Sequence, residues 1–396
     1  MSYLNDLGIV CSLGRDKTQV LESLIATSHR EYLSAWQQSV DGEKTFYCGQ
    51  VDVAADELPD ISDMPRELQS KNNQLAMLAY GQIERTYNAL AQDVAPHRIG
   101  VIIGTSTSGI KESELAKVEF TTGSNWPKNH QYAVQEMCSP ATFVAQLCGA
   151  TGPVYSISTA CSSSAKALAS ARALLDSDMA DIVICGGVDT LSHLPNNGFD
   201  SLESIADHLC NPLSAERDGI NIGEGAALFI MSKQESDTAL CGIGETSDAY
   251  HISAPHPDGD GAYSAMDLAL SDAQLNASDI DYINLHGTGT PKNDEMECRA
   301  VTKLFGENTV CSSTKRFTGH TLGAAGAIEA GLLWLLLSEG NSSHITPVNK
   351  SDFGIDPRLG RITVSQGKTQ TKLTHCLSNS FAFGGNNISV ILGKTQ

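Results

Sequence analysis

Ile99-Gly-Val-Ile-Ile-Gly104 and Ala180-Asp-Ile-Val-Ile-Cys-Gly-Gly187 decide the fold class. Each holds a short apolar run without polar alternation and closes on glycine. A strand solvated on one face alternates apolar and polar residues, whereas a run apolar on both faces is buried on both. Asp281-Tyr-Ile-Asn-Leu-His286 and the run from Ile388 to Leu392 have the same character. Between them lie Ala-rich stretches with helical spacing: Ser162 to Leu175, Ala265 to Ala273, and Gly323 to Ser338. Buried strands alternating with helices indicate an α/β protein with mostly parallel sheets. Gly223-Glu-Gly-Ala-Ala-Leu-Phe-Ile-Met-Ser-Lys233 and Gly384-Gly-Asn-Asn-Ile-Ser-Val-Ile-Leu-Gly-Lys394 are both a Gly turn followed by an apolar strand. The repeat hints at an internal duplication, with a boundary near Asp237 to Cys241.

Composition narrows the function classes. The chain has 396 residues, 41% hydrophobic and 18% charged, with 26 Lys plus Arg against 46 Asp plus Glu and a net charge of −20. That is a globular balance able to bury a large core. So acidic a chain lacks the basic surface that generic nucleic-acid binding or anionic lipid requires. The longest apolar stretch, Ala330 to Leu337, falls far short of the roughly 20 residues of a spanning helix. Met1 to Val10 carries Asp6 and no basic residue, unlike a secretory signal. Eleven scattered cysteines without a C-x-x-C pair fit reduced thiols in the cytoplasm, and no Cys/His cluster has zinc spacing.

Three residues stand out. Ser156-Ile-Ser-Thr-Ala-Cys-Ser-Ser-Ser-Ala-Lys166 places Cys161 where a strand gives way to a helical pattern. Unpaired N–H groups at a helix N-terminus favour a negative charge, and a thiol there can fall from about 8.5 into the range of roughly 3.5–7.5. His286 opens His286-Gly-Thr-Gly-Thr-Pro291 after a strand pattern. His320 lies in Lys315-Arg-Phe-Thr-Gly-His-Thr-Leu-Gly-Ala-Ala-Gly326, a small-residue turn leading into a helix. Both occupy strand–loop–helix switches, where sites collect. A thiolate can take an acyl group from a thioester, and two imidazole N–H groups can stabilise an enolate oxygen. His251 and His256 also lie close together, but nothing near them supplies further metal ligands.

The strings STACSSS, HGTGTPKND, KRFTGHTLGAAGA and SNSFAFGGNN resemble, in order and spacing, the signatures of the β-ketoacyl-(acyl carrier protein) synthases. The resemblance extends through DIVICGGVD, ERDGINIGEGAALFIM and TSDAYH and so covers nearly the whole chain. It implies a thiolase-like fold, two similar halves in a five-layered α-β-α-β-α arrangement, with residues 1–238 carrying the nucleophile and 239–396 the two histidines. It implies that Cys161 attacks an acyl thioester, and that His286 and His320 assist malonyl decarboxylation. The backbone N–H groups of Cys161 and Phe383 then form the oxyanion hole, with Phe383 also gating access. Lys315 and Glu297 match a charged pair near the histidines, and Asp294 a structural position. Thr288 and Thr290 match residues that contact the pantetheine arm or malonyl group, and Phe381 a second aromatic of the Gly-rich loop. The product is a 3-oxoacyl chain two carbons longer, formed without metal or organic cofactor. The partners implied are an acyl carrier protein bearing acyl and malonyl groups and a second subunit, as homodimer or as heterodimer with a related chain.

Departures point to a specialised synthase, such as one of an aryl-polyene or other polyketide-like pathway. By the resemblance, Gly104-Thr-Ser-Thr-Ser-Gly109 aligns with a Gly/Ser-rich loop that lines the bottom of the acyl pocket, and Thr107 stands where many fatty-acid enzymes carry glycine or an aliphatic residue. Phe199 matches another pocket-lining position. Asp200 to Glu203 is acidic where relatives often carry a basic residue to grip the carrier, leaving Lys71 and Arg66 as candidates for that task. The alternatives are the active subunit of a pair with a non-catalytic chain-length partner and housekeeping fatty-acid elongation; the rivals are such a non-catalytic partner and a thiolase. Such partners typically lack the nucleophilic cysteine, and a thiolase uses a second cysteine as base, so Cys161 with two histidines argues against both.

Overall fold

The structure is a computed structural model that describes residues 1–26, 30–38, 42, 44–123, 125–128, 130–370 and 372–395. The first half contributes β1 (Ser2–Cys11), α1 (Lys17–Leu24), a hairpin of β2 (Leu33–Gln38) and β3 (Thr45–Gly49), α2 (Lys71–Ala91) and β4 (Ile99–Gly104). After these come α3 (Ile110–Gly123), α4 (Ser139–Cys148), β5 (Val154–Ile157), α5 (Ser163–Asp176), β6 (Ile182–Asp189), α6 (His193–Ser201) and β7 (Gly225–Ser232). The second half contributes β8 (Thr238–Ser247), α7 (Asp260–Ala273), β9 (Tyr282–Asn284), α8 (Pro291–Phe305) and β10 (Val310–Ser312). The one-turn α9 (Lys315–Thr318), α10 (Ala325–Leu337), β11 (Thr363–Val364), β12 (His375–Phe381) and β13 (Asn386–Lys394) complete it.

The hint of duplication becomes explicit in the strand order. In the first half the order is β5-β4-β6-β7-β1, and in the second β10-β9-β12-β13-β8, with β11 added at the edge. The senses match too. β4 is parallel to β5 and β6, while β7 is antiparallel to β6 and β1. Likewise β9 is parallel to β10 and β12, while β13 is antiparallel to β12 and β8. The halves are joined where β1 meets β8 over Ser2↔Leu240 and Tyr3↔Ala239.

Layering follows from the period of two along each strand. In β4 and β7, Val101, Ile103, Ala226, Leu228 and Ile230 pack outward with Leu75, Ala79 and Ile83 of α2 and Phe143 of α4. The alternate residues Ile102, Ala227, Phe229 and Met231 pack inward with Leu168 and Ala171 of α5 and Ile328 and Leu332 of α10. That inner cluster also takes Tyr282, Cys376, Val390 and Leu392 of the second half, whose opposite face, Ile283, Leu377 and Ile391, packs on α7 and α8. The layers are therefore α2/α4, sheet, α5/α10, sheet, α7/α8, the five-layered thiolase-like arrangement.

The central helices are buried nearly all round. In α10 every residue but Trp334 is buried, including Glu329. Where α5 and α10 cross, a Cβ on Gly326 would lie 2.7 Å from Ala165 Cβ and 2.8 Å from its amide nitrogen. Contact that close needs glycine and alanine, which explains the small residues in both segments.

Parallel strands gather their C-terminal ends on one side of the sheet, where sites form. Cys161 follows β5 and precedes α5; His320 follows β10 and precedes α10. These are equivalent places in the two halves. His286 follows β9. Among the described residues, no helix is long and apolar enough to cross a membrane.

Candidate active site

The three side chains that stood out in the sequence meet. A ligand atom from each of Cys161, His286 and His320 lies within 4.8 Å of the others, and all three residues are buried. His320 Nε2 is 3.0 Å from Cys161 Sγ, and the imidazoles meet edge to face at 5.4 Å between centroids. Ala160, with φ of +54°, turns the chain sharply before the nucleophile, and Ser163 Oγ accepts from Thr159 N to hold the turn. This trio is also the group among the described residues that could ligate a metal ion. A metal there would occupy the sulfur.

Burial overrides the helix N-terminus at the sulfur. The Cys161 thiol is pushed up to about 11 by desolvation, against the Lys315 charge and hydrogen bonds from the main-chain N–H groups of Phe383 and Cys161. The expected downward shift is therefore corrected: leaving water raises the buried thiol more than the Lys315 charge and the two main-chain N–H groups lower it. The two N–H groups expected to form an oxyanion hole nevertheless both point at the sulfur.

The tautomers follow from the partners. Leu322 N donates to His320 Nδ1 at 3.1 Å, so in the neutral ring the proton sits on Nε2, facing Cys161. Lys315 Nζ lies 3.4 Å from His286 Nδ1. An ammonium only donates, so His286 also carries its proton on Nε2. Burial, then Lys315, holds both rings well below the ordinary histidine range, which keeps them neutral.

The expected Lys315–Glu297 pair does not form. Lys315 pairs instead with Glu329 of α10 at 2.5 Å, both side chains 2% exposed. Glu297, on α8, accepts from the main-chain N–H groups of His286 at 2.8 Å and Gly287 at 2.7 Å and from Asn379 at 3.1 Å. It clamps the turn that carries His286, and burial lifts its carboxyl to about 7. Asp294 similarly accepts from Leu213 N and Gly289 N.

Two cavities meet at Cys161. One, of about 340 Å³, is lined by His286, His320, Thr288, Thr290, Phe381 and Phe383, among others, and the hydroxyls of Thr288 and Thr290 bond each other at 2.9 Å. The other, of about 220 Å³, is lined by Ser106, Thr107, Ile110, Leu194, Pro195, Phe199 and Leu322. Phe199 lines both, and its ring lies 5.5 Å from that of Phe383. The Thr107 hydroxyl donates to Asp189 at 2.6 Å, so its proton is not available to a bound chain. Lys71 is bound at 2.7 Å to the buried Glu224, which removes it as a carrier grip. Asp200 faces Lys44, while Glu203 lines the larger cavity with Asp218, Asp248 and Lys292.

The sequence reading passed over Glu329 and Asp189. Glu329 carried a signal: it is the one acid in the apolar run from Ala325 to Leu337, and a charge in a fully buried helix needs a partner.

The chain matches the N-terminal domain model of the β-ketoacyl synthases over residues 20–236 and the C-terminal domain model over residues 238–347. The chain belongs to the β-ketoacyl synthase family. It is 30% identical to a nodulation protein E of Rhizobium meliloti (strain 1021), over 97% of this chain and 96% of that one. To a 3-oxoacyl-[acyl-carrier-protein] synthase 2 of Staphylococcus aureus (strain N315) it is 31% identical, over 82% and 81%. A solved chain in the complex of the ketosynthase ApeO with its chain length factor ApeC, from Xenorhabdus doucetiae, superposes with a TM-score of 0.93 at 41% identity, over 100% and 98%. The enzyme is thus an acyltransferase of the condensing type, a ketosynthase of the fatty-acid and type II polyketide class.

Proposed function

We propose that this ketosynthase condenses an acyl chain held on Cys161 with malonyl-(acyl carrier protein), the observation that carries it being the Cys161–His286–His320 cluster between two cavities. The acyl thioester enters through the cavity lined by Thr288 and Thr290, which suits a pantetheine arm. The Cys161 sulfur, stabilised as thiolate by His320 Nε2–H and the two main-chain N–H groups, attacks the carbonyl. The carrier leaves as its thiol, taking the proton Cys161 gave up, and the chain lies along the second cavity. Malonyl-carrier then occupies the vacated arm site. Loss of carbon dioxide generates an enolate whose oxygen accepts from Nε2–H of His286 and of His320. Its carbon attacks the acyl-Cys161 carbonyl, whose oxygen is held by the N–H groups of Cys161 and Phe383. Collapse frees the sulfur and the 3-oxoacyl-carrier. Lys315 and Glu297 act through His286, one fixing its tautomer and the other its main chain.

The reading extends to a partner and a compartment. The relative at 41% identity is described in complex with a chain length factor, and this chain presents an apolar face on α3 and the segment after it, with Val118 62% and Tyr132 69% exposed. We assign it the catalytic half of a cytoplasmic pair with a related subunit, extending a polyketide-like chain, the halves dividing at 238/239. Intact-mass spectrometry after incubation with acyl-carriers tests the core of this. The enzyme gains one acyl group, Cys161→Ala gains none while remaining folded, and acylation of that variant overturns the assignment.

A further inference from the structure

Asp189 ends β6, is fully buried, and belongs to neither cavity wall. Its carboxylate gathers donors from two separate segments. From the β4–α3 loop it accepts Thr105 Oγ1 at 2.7 Å, Ser106 N at 2.9 Å, Thr107 N at 2.7 Å and Thr107 Oγ1 at 2.6 Å. From the turn between His320 and α10 it accepts Ala324 N at 3.0 Å. The first segment supplies Ser106 and Thr107 to the acyl cavity, and the second supplies Leu322 to the same cavity. Leu322 has φ of +53°, and its N–H fixes the tautomer of His320. One carboxylate therefore ties the acyl-cavity floor to the backbone that aims the histidine at the sulfur.

We propose that Asp189 is a positioning residue that locks the acyl-cavity floor and the His320 turn into one unit, so that the fit of the bound chain and the aim of His320 are set together. The inference rests on the assignment of Cys161 and His320 to the condensation. Five donors, three main-chain N–H groups and two hydroxyls, converge on one desolvated carboxylate, four from the β4–α3 loop and one from the turn before α10. Space around it is closed: a Cβ on Gly323 would sit 2.8 Å from Asp189 Oδ2. A longer or differently shaped side chain has no room to restore the pattern.

Asp189→Asn keeps the shape but turns an acceptor into a donor facing N–H groups. Thr107→Val removes a single bond to the carboxylate. Both variants and the unaltered enzyme are compared for Cys161 acylation by a short and by a long acyl-pantetheine, using time-resolved intact mass, and for carbon dioxide release from malonyl-pantetheine. Thermal unfolding is measured alongside. In Asp189→Asn the preference for the long over the short acyl group falls about tenfold, and carbon dioxide release falls about ten- to a hundredfold, as expected for a reacting group moved by a fraction of an ångström. Thr107→Val shows a smaller loss in the same direction. An unchanged long-to-short ratio in folded Asp189→Asn overturns the proposal, as does a loss that is uniform across chain lengths and tracks the unfolded fraction. If the unaltered enzyme itself takes no acyl group on Cys161, it is the underlying assignment that fails.

Discussion

At the scale of the residue, the sulfur and the buried ion pair behind it make opposite demands on burial. Cys161 sits at a helix start but inside the protein, and burial sets its resting proton affinity at about 11. Because the thiolate is the reactive form, alkylation of Cys161 by iodoacetamide should rise about tenfold per pH unit from 7 to beyond 9. A plateau at pH 6–7, read by mass spectrometry of the labelled peptide, would show a resting thiolate instead. Lys315 and Glu329 pose the complementary case, two charges that tolerate burial because each has the other. Glu329→Gln leaves the Lys315 charge uncompensated and should cost about 3–5 kcal/mol of stability. Lys315→Met combined with Glu329→Gln should recover most of that in urea unfolding. The double variant still lacks the donor to His286 Nδ1, so its carbon dioxide release should remain down about ten- to a hundredfold while Cys161 acylation persists. Recovery of stability and decarboxylation together would reduce Lys315 to a structural role.

At the scale of the element, the contact between α5 and α10 makes the same substitution act with opposite signs at two sites. Gly326→Ala puts a Cβ within 2.8 Å of Ala165 main chain, which cannot yield, so it should destabilise by about 1–3 kcal/mol despite better helix propensity. Gly81→Ala, on an exposed turn of α2 with nothing within 4 Å, should stabilise by about 0.5–1 kcal/mol. Urea midpoints of the two variants on opposite sides of the parent would bear this out, and a shift in the same direction for both would not. This layer also shows what a sequence can disclose. The apolar runs at Ile99 and Ile182 announced strands buried on both faces, and small residues in Ser162–Leu175 and Gly323–Ser338 announced helices packed closely. The motifs carrying Cys161, His286 and His320 were legible because each lies in a Gly-, Ser- or Thr-rich connection between a strand and a later helix, where the apolar pattern breaks. The partner of Lys315 was not, since Glu297 before it and Glu329 after it both lie in helix-forming contexts within one half, and only the folded path of α10 selects Glu329. Asp189 was hidden for the same reason: its five donors come from segments more than eighty residues away on either side. The proton affinity of Cys161 was misjudged because a helix start is a local feature and enclosure is not.

At the scale of the whole molecule, one side is unfinished. β5 is the last strand of the sheet in its half, among the described residues its outer edge pairs with no further strand, and its own Tyr155 is 37% exposed. In the same half, α3 and its following segment present Leu115, Val118, Phe120, Trp126 and Tyr132, with Phe120 stacked on Trp126 at 4.8 Å and Trp126 on His130 at 5.0 Å. The acyl cavity is lined from this side by Ile110, at the start of α3, and by Leu194, which is itself 58% exposed. An apolar surface of this kind is the mark of a protein interface. Continuity with the cavity means that whatever covers it also closes the space into which the chain grows. Val118 and Tyr132 line neither cavity at Cys161. Val118→Asp and Tyr132→Asp should each weaken pairing with a related subunit by about 2–4 kcal/mol, as expected where an aromatic or buried apolar anchor is lost. Sedimentation of the mixed subunits should show dissociation, Cys161 of the catalytic chain should still accept a short acyl group, and the products should stop at shorter lengths by mass spectrometry. Pairing unaffected by both variants would place the partner elsewhere. Dissociation with product length unchanged would mean that the wall of the cavity belongs to this chain alone.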